Sequence, residues 1–349
     1  MTYRVIQWAT GYVGAESIKG IVARPDMELV GCFVYSDAQV GMDAGELAGM
    51  APVGVEATNS IDDVCALEAD AVVYSPMMAN DGDVIRLLES GKNVVTPCGW
   101  VYPRRDGRYA EIETAGARGN ATLHGTGIHP GGITERFPLT LSALCRDITH
   151  VRMEEFSDIR NYGTASVVRE IMLFGQPPEV AAQSPMLKVL ANGFLQSVDM
   201  VADALGFRLD AKKRTTHEMA IATRDVPTPS GPIAAGTVAG QRFCWQGTVD
   251  DEPVITVRVN WLMGDGHLDP DWKLGEQRFE VELAADPPLL TTFHGLHPPV
   301  LGEHPETGLI APAMHCVNAI PAVVAAAPGI ATYLDLPMLY GAAITGLHR

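Results

Sequence analysis

The chain has 349 residues, of which 47% are hydrophobic and 19% are charged. This balance is typical of a folded globular protein, and the length predicts two domains of unequal size. The formal net charge of −17 excludes a polyanion held by bulk attraction, because nucleic acid requires a basic face. We therefore expect no nucleic-acid partner, and any anionic ligand must be bound by local geometry.

The six cysteines, at positions 32, 65, 98, 145, 244 and 316, have no metal-ligand spacing. They predict reduced thiols in a cytoplasmic protein without a metal site. The chain begins almost directly with a strand, so we expect no signal peptide. The uncharged stretch from Thr307 to Leu334 contains three prolines, and it predicts a buried helix and loop rather than a membrane span.

In chain order, the first part alternates short apolar runs with helix-like stretches. The runs lie at 4–9, 27–35, 70–75, 93–97 and 121–125, and stretches such as 14–23 and 82–91 separate them. Such alternation predicts parallel strands joined by right-handed helical crossovers. We therefore predict an α/β fold whose N-terminal part, residues 1–135, is a doubly wound Rossmann domain.

The turn after the first run fills the G-x-G-x-x-G frame, with Ala9 in the first position. Glycine lets the backbone approach a pyrophosphate, and the following helix offers N–H groups and a positive dipole end. Ala9 is compatible with the turn provided that it needs no positive φ. The residues predicted to bind the dinucleotide here are Thr10, Gly11, Tyr12, Val13 and Gly14. A tight turn without a ligand is the alternative.

The second run ends at Ser36 and Asp37, where the adenosine ribose is expected. An acidic residue there accepts the ribose hydroxyls of NAD, whereas a hydroxyl suits the phosphate of NADP. Ser36 favours NADP(H), Asp37 favours NAD(H), and the sequence leans to NADP(H). Ser75, Pro97 and Gly127, which follow later strands, complete the predicted cofactor-binding residues.

From Leu139 onward, long strand-like runs at 148–159, 237–249 and 252–263 follow one another through turns. They predict an α+β domain with an open, mostly antiparallel sheet over residues 136–305, for substrate binding and oligomerisation. Between the first two runs, a helical stretch from Ala165 to Leu205 is interrupted by Gly175 and two prolines. We expect this stretch to wall the substrate pocket.

Four segments together resemble the dihydrodipicolinate-reductase-like superfamily: 8–14 (WATGYVG), 40–49 (VGMDAGELAG), 125–132 (GTGIHPGG) and 317–330 (VNAIPAVVAAAPGI). They are most similar to its branch of 2,4-diaminopentanoate dehydrogenases and native amine dehydrogenases. The resemblance implies an NAD(P)-binding Rossmann domain, a second α+β domain, and a C-terminal helix and tail over 306–349 that return to the first domain. It also implies hydride transfer between nicotinamide and a C–N bond, and a homodimer formed through the second domain's sheet.

One segment departs from that branch. Its amine-forming members carry adjacent glutamates in a segment like CEELSYP after the fifth strand, whereas residues 98–103 here read CGWVYP. Neither Gly99 nor Trp100 can bind an ammonium group or transfer its proton. We expect Trp100 instead to narrow and dry the substrate pocket.

Three residues are candidate catalytic groups. His129, in the glycine-rich loop, could donate a proton to the accepting oxygen or nitrogen, or could only brace the hinge between domains. Tyr102 is a second proton donor, or an aromatic ring packed on Pro103. Tyr162 is expected over the nicotinamide. Asp158 and Arg160 precede Tyr162 at intervals of two, which predicts one shared strand face that meets a polar substrate. A surface ion pair between Asp158 and Arg160 is the alternative.

The leading functional prediction is an NAD(P)-dependent oxidoreductase that acts on a small, rather apolar amine, imine or carbonyl compound. The resemblance favours the C–N bond, whereas the missing glutamates do not. A carbonyl reductase on the same scaffold, and a non-catalytic NAD(P)-binding protein that senses redox state, stay open as alternatives.

Overall fold

The computed structural model describes residues 2–103, 109–162, 164–297 and 307–343. The chain divides into two compact units. One unit consists of Met1–Gly131 and Leu309–Arg349, and the other is Gly132–Gly308.

The regular elements are numbered in chain order. The strands are β1 Tyr3–Trp8, β2 Met27–Phe33, β3 Ala57–Thr58, β4 Ala71–Tyr74, β5 Asn93–Thr96, β6 Thr122–Gly125, β7 Arg146–Asp158, β8 Arg214–Ala222, β9 Val238–Val249, β10 Glu252–Leu262, β11 Leu268–Asp269, β12 Arg278–Asp286, β13 Leu289–Phe293 and β14 Gly329–Ile330. The α-helices are α1 Tyr12–Val22, α2 Ala44–Leu47, α3 Ile61–Ala66, α4 Asp81–Glu89, α5 Ala110–Gly119, α6 Arg136–Ser142, α7 Pro178–Ala181, α8 Met186–Leu205 and α9 Thr307–Val324.

The first unit contains a parallel sheet, as the sequence predicts. Within the described residues its order is β14-β6-β5-β4-β1-β2-β3, and each neighbouring pair is parallel. Successive residues of β1, Val5 and Ile6, are both fully buried, because helices cover both faces of such a sheet. The carboxyl ends of β1, β2, β4, β5 and β6 therefore lie along one edge, where an open α/β sheet binds its ligand.

Helix α9 returns to this unit, which confirms the predicted course of the C-terminal helix. Its buried Val317 and Ile320 belong to one hydrophobic cluster with Ile18 and Ile21 of α1. The helix is apolar because it is buried in a protein core, and Pro312 lies inside it. In the described part of the chain, no helix combines the length and hydropathy that a membrane crossing requires.

The second unit contains a mixed, mostly antiparallel sheet in the order β11-β8-β9-β10-β7-β12-β13. Its central pair, β10 and β7, is parallel, and the other described neighbours are antiparallel. Phe194 of α8 stacks on Trp245 of β9 with ring centroids 4.4 Å apart, so α8 covers the face to which Trp245 belongs. We call this the inner face of the sheet.

The stretch from Ala165 to Leu205 is broken where its sequence predicts. A single π-helical turn, Val167–Ile171, is followed by α7 and then by α8. Gly175 between the first two has φ +76, a conformation that glycine adopts without steric cost.

Candidate functional site

The turn between β1 and α1 forms a helix N-terminus suited to an anion. Gly11 precedes the helix in an extended conformation, no side chain caps the first turn, and no acidic residue lies in that turn. The N–H groups at the start of α1 and the positive end of its dipole are therefore directed at the sheet edge. A dinucleotide pyrophosphate is the anion that such a turn binds in parallel α/β sheets.

Ala9 adopts φ +70, so the turn does require a positive φ at this position, and alanine occupies it all the same. The chain must reverse within a few residues between the strand and the helix, and the left-handed region provides that reversal. The side chain of Gln7 stabilises the turn, because its Nε2 donates to Trp8 O at 3.0 Å and to Ala9 O at 2.9 Å. The strain is thus offset by a buried amide.

The two glycines of the turn, Gly11 and Gly14, are required for different steric reasons. A Cβ on Gly14 would lie 2.1 Å from Ala9 O, so Gly14 lets α1 pack against the turn. A Cβ on Gly11 would meet nothing within 4 Å, so this glycine keeps a space open beside the helix N-terminus. The residues present therefore fit a bound pyrophosphate.

Ser75 connects the end of β4 to this turn. Its backbone N–H donates to Trp8 O at 3.1 Å, and its hydroxyl accepts a hydrogen bond from Gln7 Nε2 at 2.8 Å. Pro97 directly follows β5, and its Cα lies 3.7 Å from where a Cβ on Gly127 would stand. The structure thus places these three predicted cofactor residues at the same sheet edge as the turn.

The end of β2 carries the predicted adenosine site. Ser36 precedes a short 3₁₀ turn, Asp37–Gln39, and its side chain makes no capping hydrogen bond. Asp37 Oδ1 accepts a hydrogen bond from Asn59 Nδ2 at 2.7 Å. In the sequence, neither lysine nor arginine occurs between Arg24 and Arg86, although aspartate and glutamate are frequent there.

The glycine-rich loop after β6 is held by the C-terminal segment of the same unit. Tyr333 Oη donates to Gly131 O at 2.5 Å and shares a second hydrogen bond with Thr126 Oγ1. His315 Nδ1 lies 2.5 Å from Gly127 O, and a carbonyl partner requires that this nitrogen carries the proton. Sequence reasoning missed Tyr333 and His315, because they are about two hundred positions away in the chain.

His129 lies in this loop and is half-buried, whereas Tyr102 is 5% exposed. Trp100 is 3% exposed and packs in the hydrophobic cluster that contains Trp8, Ala9 and Tyr74. Its backbone has φ +53, which is uncommon for a bulky residue and is the kind of strain found at functional sites. In the described structure its indole Nε1 is buried and has no hydrogen-bond partner.

The second unit brings Asp158 and Arg160 together, but not through a shared strand face. The expected periodicity is wrong, because β7 ends at Asp158 and the chain then turns, with Tyr162 N donating to Ile159 O at 3.0 Å. The pair is an ion pair, with Arg160 Nη2 2.5 Å from Asp158 Oδ2. The hydrogen bond to Asp158 raises the pKa of Arg160 above its ordinary value.

Tyr162 lies beside a buried carboxylate that sequence reasoning missed. Burial raises the pKa of Tyr162 to about 12, and the charge of Glu155 acts in the same direction. Glu155 on β7 accepts hydrogen bonds from Trp261 Nε1 at 2.9 Å and from Ser157 Oγ at 2.5 Å. The available signal was its alternation with the apolar Val151 and Met153, which places a glutamate at an inward position of the strand.

Cysteine and metal chemistry have no support in the described part of the chain. The six cysteines are free thiols, and no group of three or more potential metal ligands occurs among the described residues. Burial raises the pKa of the Cys98 thiol, which follows Pro97, to about 12 and so disfavours its thiolate form at neutral pH.

Known proteins similar to this chain cover both units. Residues 5–96 match the family described as dihydrodipicolinate reductase, N-terminus, and residues 133–261 match the 2,4-diaminopentanoate dehydrogenase C-terminal domain. An amine dehydrogenase from Streptomyces virginiae is 31% identical over 95% of this chain and 96% of its own length. A 2,4-diaminopentanoate dehydrogenase from Acetoanaerobium sticklandii is 26% identical over 65% of this chain and 61% of its own length.

Among solved structures, an amine dehydrogenase from Mycobacterium smegmatis has the same fold. It superposes with a TM-score of 0.78 and covers 98% of each chain, at 20% sequence identity.

Proposed function

The chain belongs to the family of amine dehydrogenases and 2,4-diaminopentanoate dehydrogenases, and from that membership we propose that it transfers hydride between a nicotinamide cofactor and the C–N bond of a small, rather apolar amine. It is an NAD(P)-dependent oxidoreductase. The observation that carries the proposal is the uncapped N-terminus of α1 beside Gly11, in a chain that matches an amine dehydrogenase over almost its full length.

The cofactor supplies the hydride, and the protein binds and orients it. Gly11 and the first N–H groups of α1 would hold the pyrophosphate. Ser75, Pro97 and Gly127, further along the same sheet edge, would contact the nicotinamide half. Their positions are supported by the hydrogen bonds that connect Ser75 to the turn and Gly127 O to His315.

We propose NAD(H) as the preferred cofactor, although Ser36 on its own favours NADP(H). A 2′-phosphate at the end of β2 would meet the negative charge of Asp37. Between Arg24 and Arg86 the sequence has no lysine or arginine that could neutralise the phosphate. Asp37 is also oriented by Asn59, at a position where a carboxylate accepts the ribose hydroxyls. Fluorescence titration should give a Kd for NADH at least about tenfold below that for NADPH, and the variant Asp37→Asn should reduce the difference. A lower Kd for NADPH would contradict the preference.

The proton is proposed to come from His129, Tyr102 or Tyr162. The raised pKa of Tyr162 keeps its phenol protonated at neutral and moderately alkaline pH, so it can donate a hydrogen bond to the substrate. Replacing each residue separately, as His129→Asn, Tyr102→Phe and Tyr162→Phe, should lower the single-turnover rate for the residue that donates and leave cofactor affinity unchanged. Unchanged rates in all three variants would reject the assignments.

The reaction is tested in the direction of oxidation. Cyclohexylamine and cyclohexanol are matched in shape, and reduction of NAD⁺ is followed at alkaline pH with each of them. We expect turnover with the amine and little with the alcohol. Turnover with the alcohol alone would contradict amine chemistry.

Carbonyl reduction is a second candidate, and a specific observation favours it. Gly99 and Trp100 occupy the segment in which amine-forming relatives carry glutamates, and Trp100 packs its ring in an apolar cluster. A pocket bounded by such residues would suit a neutral carbonyl compound.

We further propose a homodimer formed through the sheet of the second unit. The face opposite α8 carries alternating charges: Arg152 contacts Glu280 at 3.0 Å and Glu282 at 2.6 Å. Arg278 covers the ring of Phe156 at 3.7 Å. A sheet face with paired charges and an aromatic residue suits an isologous contact. Sedimentation equilibrium should give twice the monomer mass, and a monomer at micromolar concentration would contradict the proposal.

A further inference from the structure

An exposed aromatic ring follows β2, at the sheet edge of the first unit where the adenosine ribose is expected. Tyr35 is 58% exposed and lies two positions before Asp37. Two methionines of the loop after β4, Met77 and Met78, are 57% and 47% exposed. Single exposed apolar side chains are common, but three large ones along the edge that also carries the pyrophosphate turn indicate a surface that binds an apolar group.

Tyr35 is exposed, yet its orientation is fixed by buried neighbours. Its hydroxyl accepts a hydrogen bond from the indole Nε1 of Trp8 at 3.0 Å, and Trp8 is 1% exposed. Its ring meets Phe33 edge to face, with centroids 5.2 Å apart and planes at 88°. Phe33 in turn stacks on Trp8 with centroids 3.8 Å apart. Because Tyr35 is held at both its hydroxyl and its ring, it loses little conformational freedom when a ligand stacks on it.

The loop after β4 is attached to the same unit at both of its ends. Pro76 O accepts a hydrogen bond from Cys98 Sγ at 3.1 Å, and Asn80 N donates to Tyr74 Oη at 3.1 Å. The two exposed methionines lie between these attachments. The ring of Tyr74 lies 5.5 Å from that of Trp8, which also holds the exposed tyrosine. One aromatic cluster therefore connects the methionine loop to the end of β2.

The space between the end of β2 and this loop suits a flat ring. β1 lies between β2 and β4, so two strand spacings of about 4.8 Å each separate the two strand ends. A flat ring needs about 3.5 Å to the atoms on each of its faces, so one ring system fits there. Aromatic rings and thioethers both contact such a ring favourably. In a dinucleotide, adenine is the flat, uncharged group attached to the ribose expected at Asp37.

We propose that Tyr35 stacks on one face of the cofactor's adenine ring and that Met77 and Met78 cover the other face. Trp8 is the positioning residue, because its indole N–H orients Tyr35 without reaching the ligand. This inference rests on the proposed function for the presence of a dinucleotide. The binding of the base follows from the fixed, exposed tyrosine and from the attached methionine loop.

The test is calorimetric titration of the full chain with ADP-ribose, which carries the adenine and the pyrophosphate and lacks nicotinamide. We expect Tyr35→Ala to raise the Kd about tenfold, because one base–aromatic stack is lost. The double variant Met77→Ala with Met78→Ala should raise the Kd by about threefold or more. Tyr340→Ala removes another highly exposed tyrosine of the same unit and is the matched control, with an unchanged Kd.

The positioning role of Trp8 is tested by a double-mutant cycle. Trp8→Phe keeps an aromatic ring and deletes the N–H that binds Tyr35. We expect it to raise the Kd for ADP-ribose about threefold in the wild-type background and to cause no further loss in Tyr35→Ala. The same loss in both backgrounds would overturn the positioning role, because Trp8 would then act independently of Tyr35.

The outcomes separate this inference from the proposed function. Equal affinity for ADP-ribose in wild type and Tyr35→Ala overturns the inference, as does an equal loss in Tyr35→Ala and Tyr340→Ala. If wild type binds ADP-ribose through Tyr35 but oxidises no amine, the proposed function fails and the inference stands. If wild type oxidises amines and Tyr35→Ala binds ADP-ribose as tightly as wild type does, the function stands and the inference fails.

Discussion

Ala9 shows at the residue scale how the cofactor turn can be built without its usual first glycine. A left-handed alanine costs about 1 kcal/mol, and the Gln7 amide offsets this cost by holding the carbonyl oxygens of Trp8 and Ala9. The frame G-x-G-x-x-G is therefore imperfect in sequence and intact in geometry. Hydrogen bonds from the Gln7 side chain can thus compensate for the lack of a glycine at position 9.

Restoring the glycine should stabilise the protein. Ala9→Gly removes the strain at φ +70, and the entropy lost by glycine on folding is smaller than that strain. We expect the free energy of unfolding to rise by up to about 1 kcal/mol, measured by urea titration. A decrease would show that Ala9 is relaxed in its conformation.

Gly11 and Gly14 should respond differently to alanine. Gly11→Ala meets nothing within 4 Å, so Tm should stay unchanged while the Kd for NADH rises at least about tenfold, because the methyl group fills the space left for the pyrophosphate. Gly14→Ala meets Ala9 O at 2.1 Å and should lower Tm as well. Unchanged NADH affinity in Gly11→Ala would contradict the position of the pyrophosphate.

The turn and the strands could be predicted because their signals are local in sequence. The buried surroundings of Glu155 could not be predicted, since Trp261 and Tyr162 are distant from it in sequence or beyond the end of its strand, and only the fold brings them close. The periodicity drawn through Asp158 and Arg160 failed for a related reason: the sequence continues to alternate where the backbone already turns. Asp158 and Arg160 still form an ion pair, because a turn brings residues two positions apart close together.

At the scale of elements, the segment after α9 holds the glycine-rich loop in which His129 lies. Tyr333 and His315 bind the backbone oxygens of Gly131 and Gly127, and His124 Nδ1 lies 2.8 Å from Ala331 O. The sequence predicts both α9 and the loop, but it gives no indication that one fixes the other. Loops acquire fixed geometry from such distant contacts.

Removing one contact of this segment should loosen the loop. Tyr333→Phe deletes the donor to Gly131 O and leaves the ring in place. We expect the free energy of unfolding to fall by about 1 kcal/mol, and hydrogen exchange of residues 125–131 to accelerate. Tyr340→Phe, at a highly exposed tyrosine, is the control. Equal exchange in wild type and Tyr333→Phe would show that the loop is held by other contacts.

His124 should make stability depend on pH. Burial lowers its pKa from 6.5 to about 4, so below pH 6.5 the unfolded chain takes up a proton that the folded protein does not. Its contribution to stability is fully present above pH 6.5 and is lost as the pH falls toward 4, by up to about 3 kcal/mol. His124→Gln should flatten the unfolding free energy over that range. An unchanged slope would contradict the shifted pKa.

For the whole molecule, the sequences of the two units carry unequal information about function. In the first unit a local sequence pattern predicts a dinucleotide cofactor, and the family match over residues 5–96 supports that prediction. The second unit has a matching family over residues 133–261, yet its candidate ligand groups are scattered along β7, β10 and the turn after β7. Composition, periodicity and resemblance predict the fold of both units, whereas the side chains that meet on the inner face of the second sheet follow only from the register of its strands.

The chain is proposed to act on a C–N bond although the usual glutamates are absent. The most direct measurement is NADH oxidation with cyclohexanone, with and without high ammonium, at neutral and alkaline pH, with the product identified by mass. We predict that NADH is consumed when ammonium is present and that the product is cyclohexylamine. Consumption of NADH without ammonium, with cyclohexanol as the product, would contradict the claim and establish a carbonyl reductase on this scaffold.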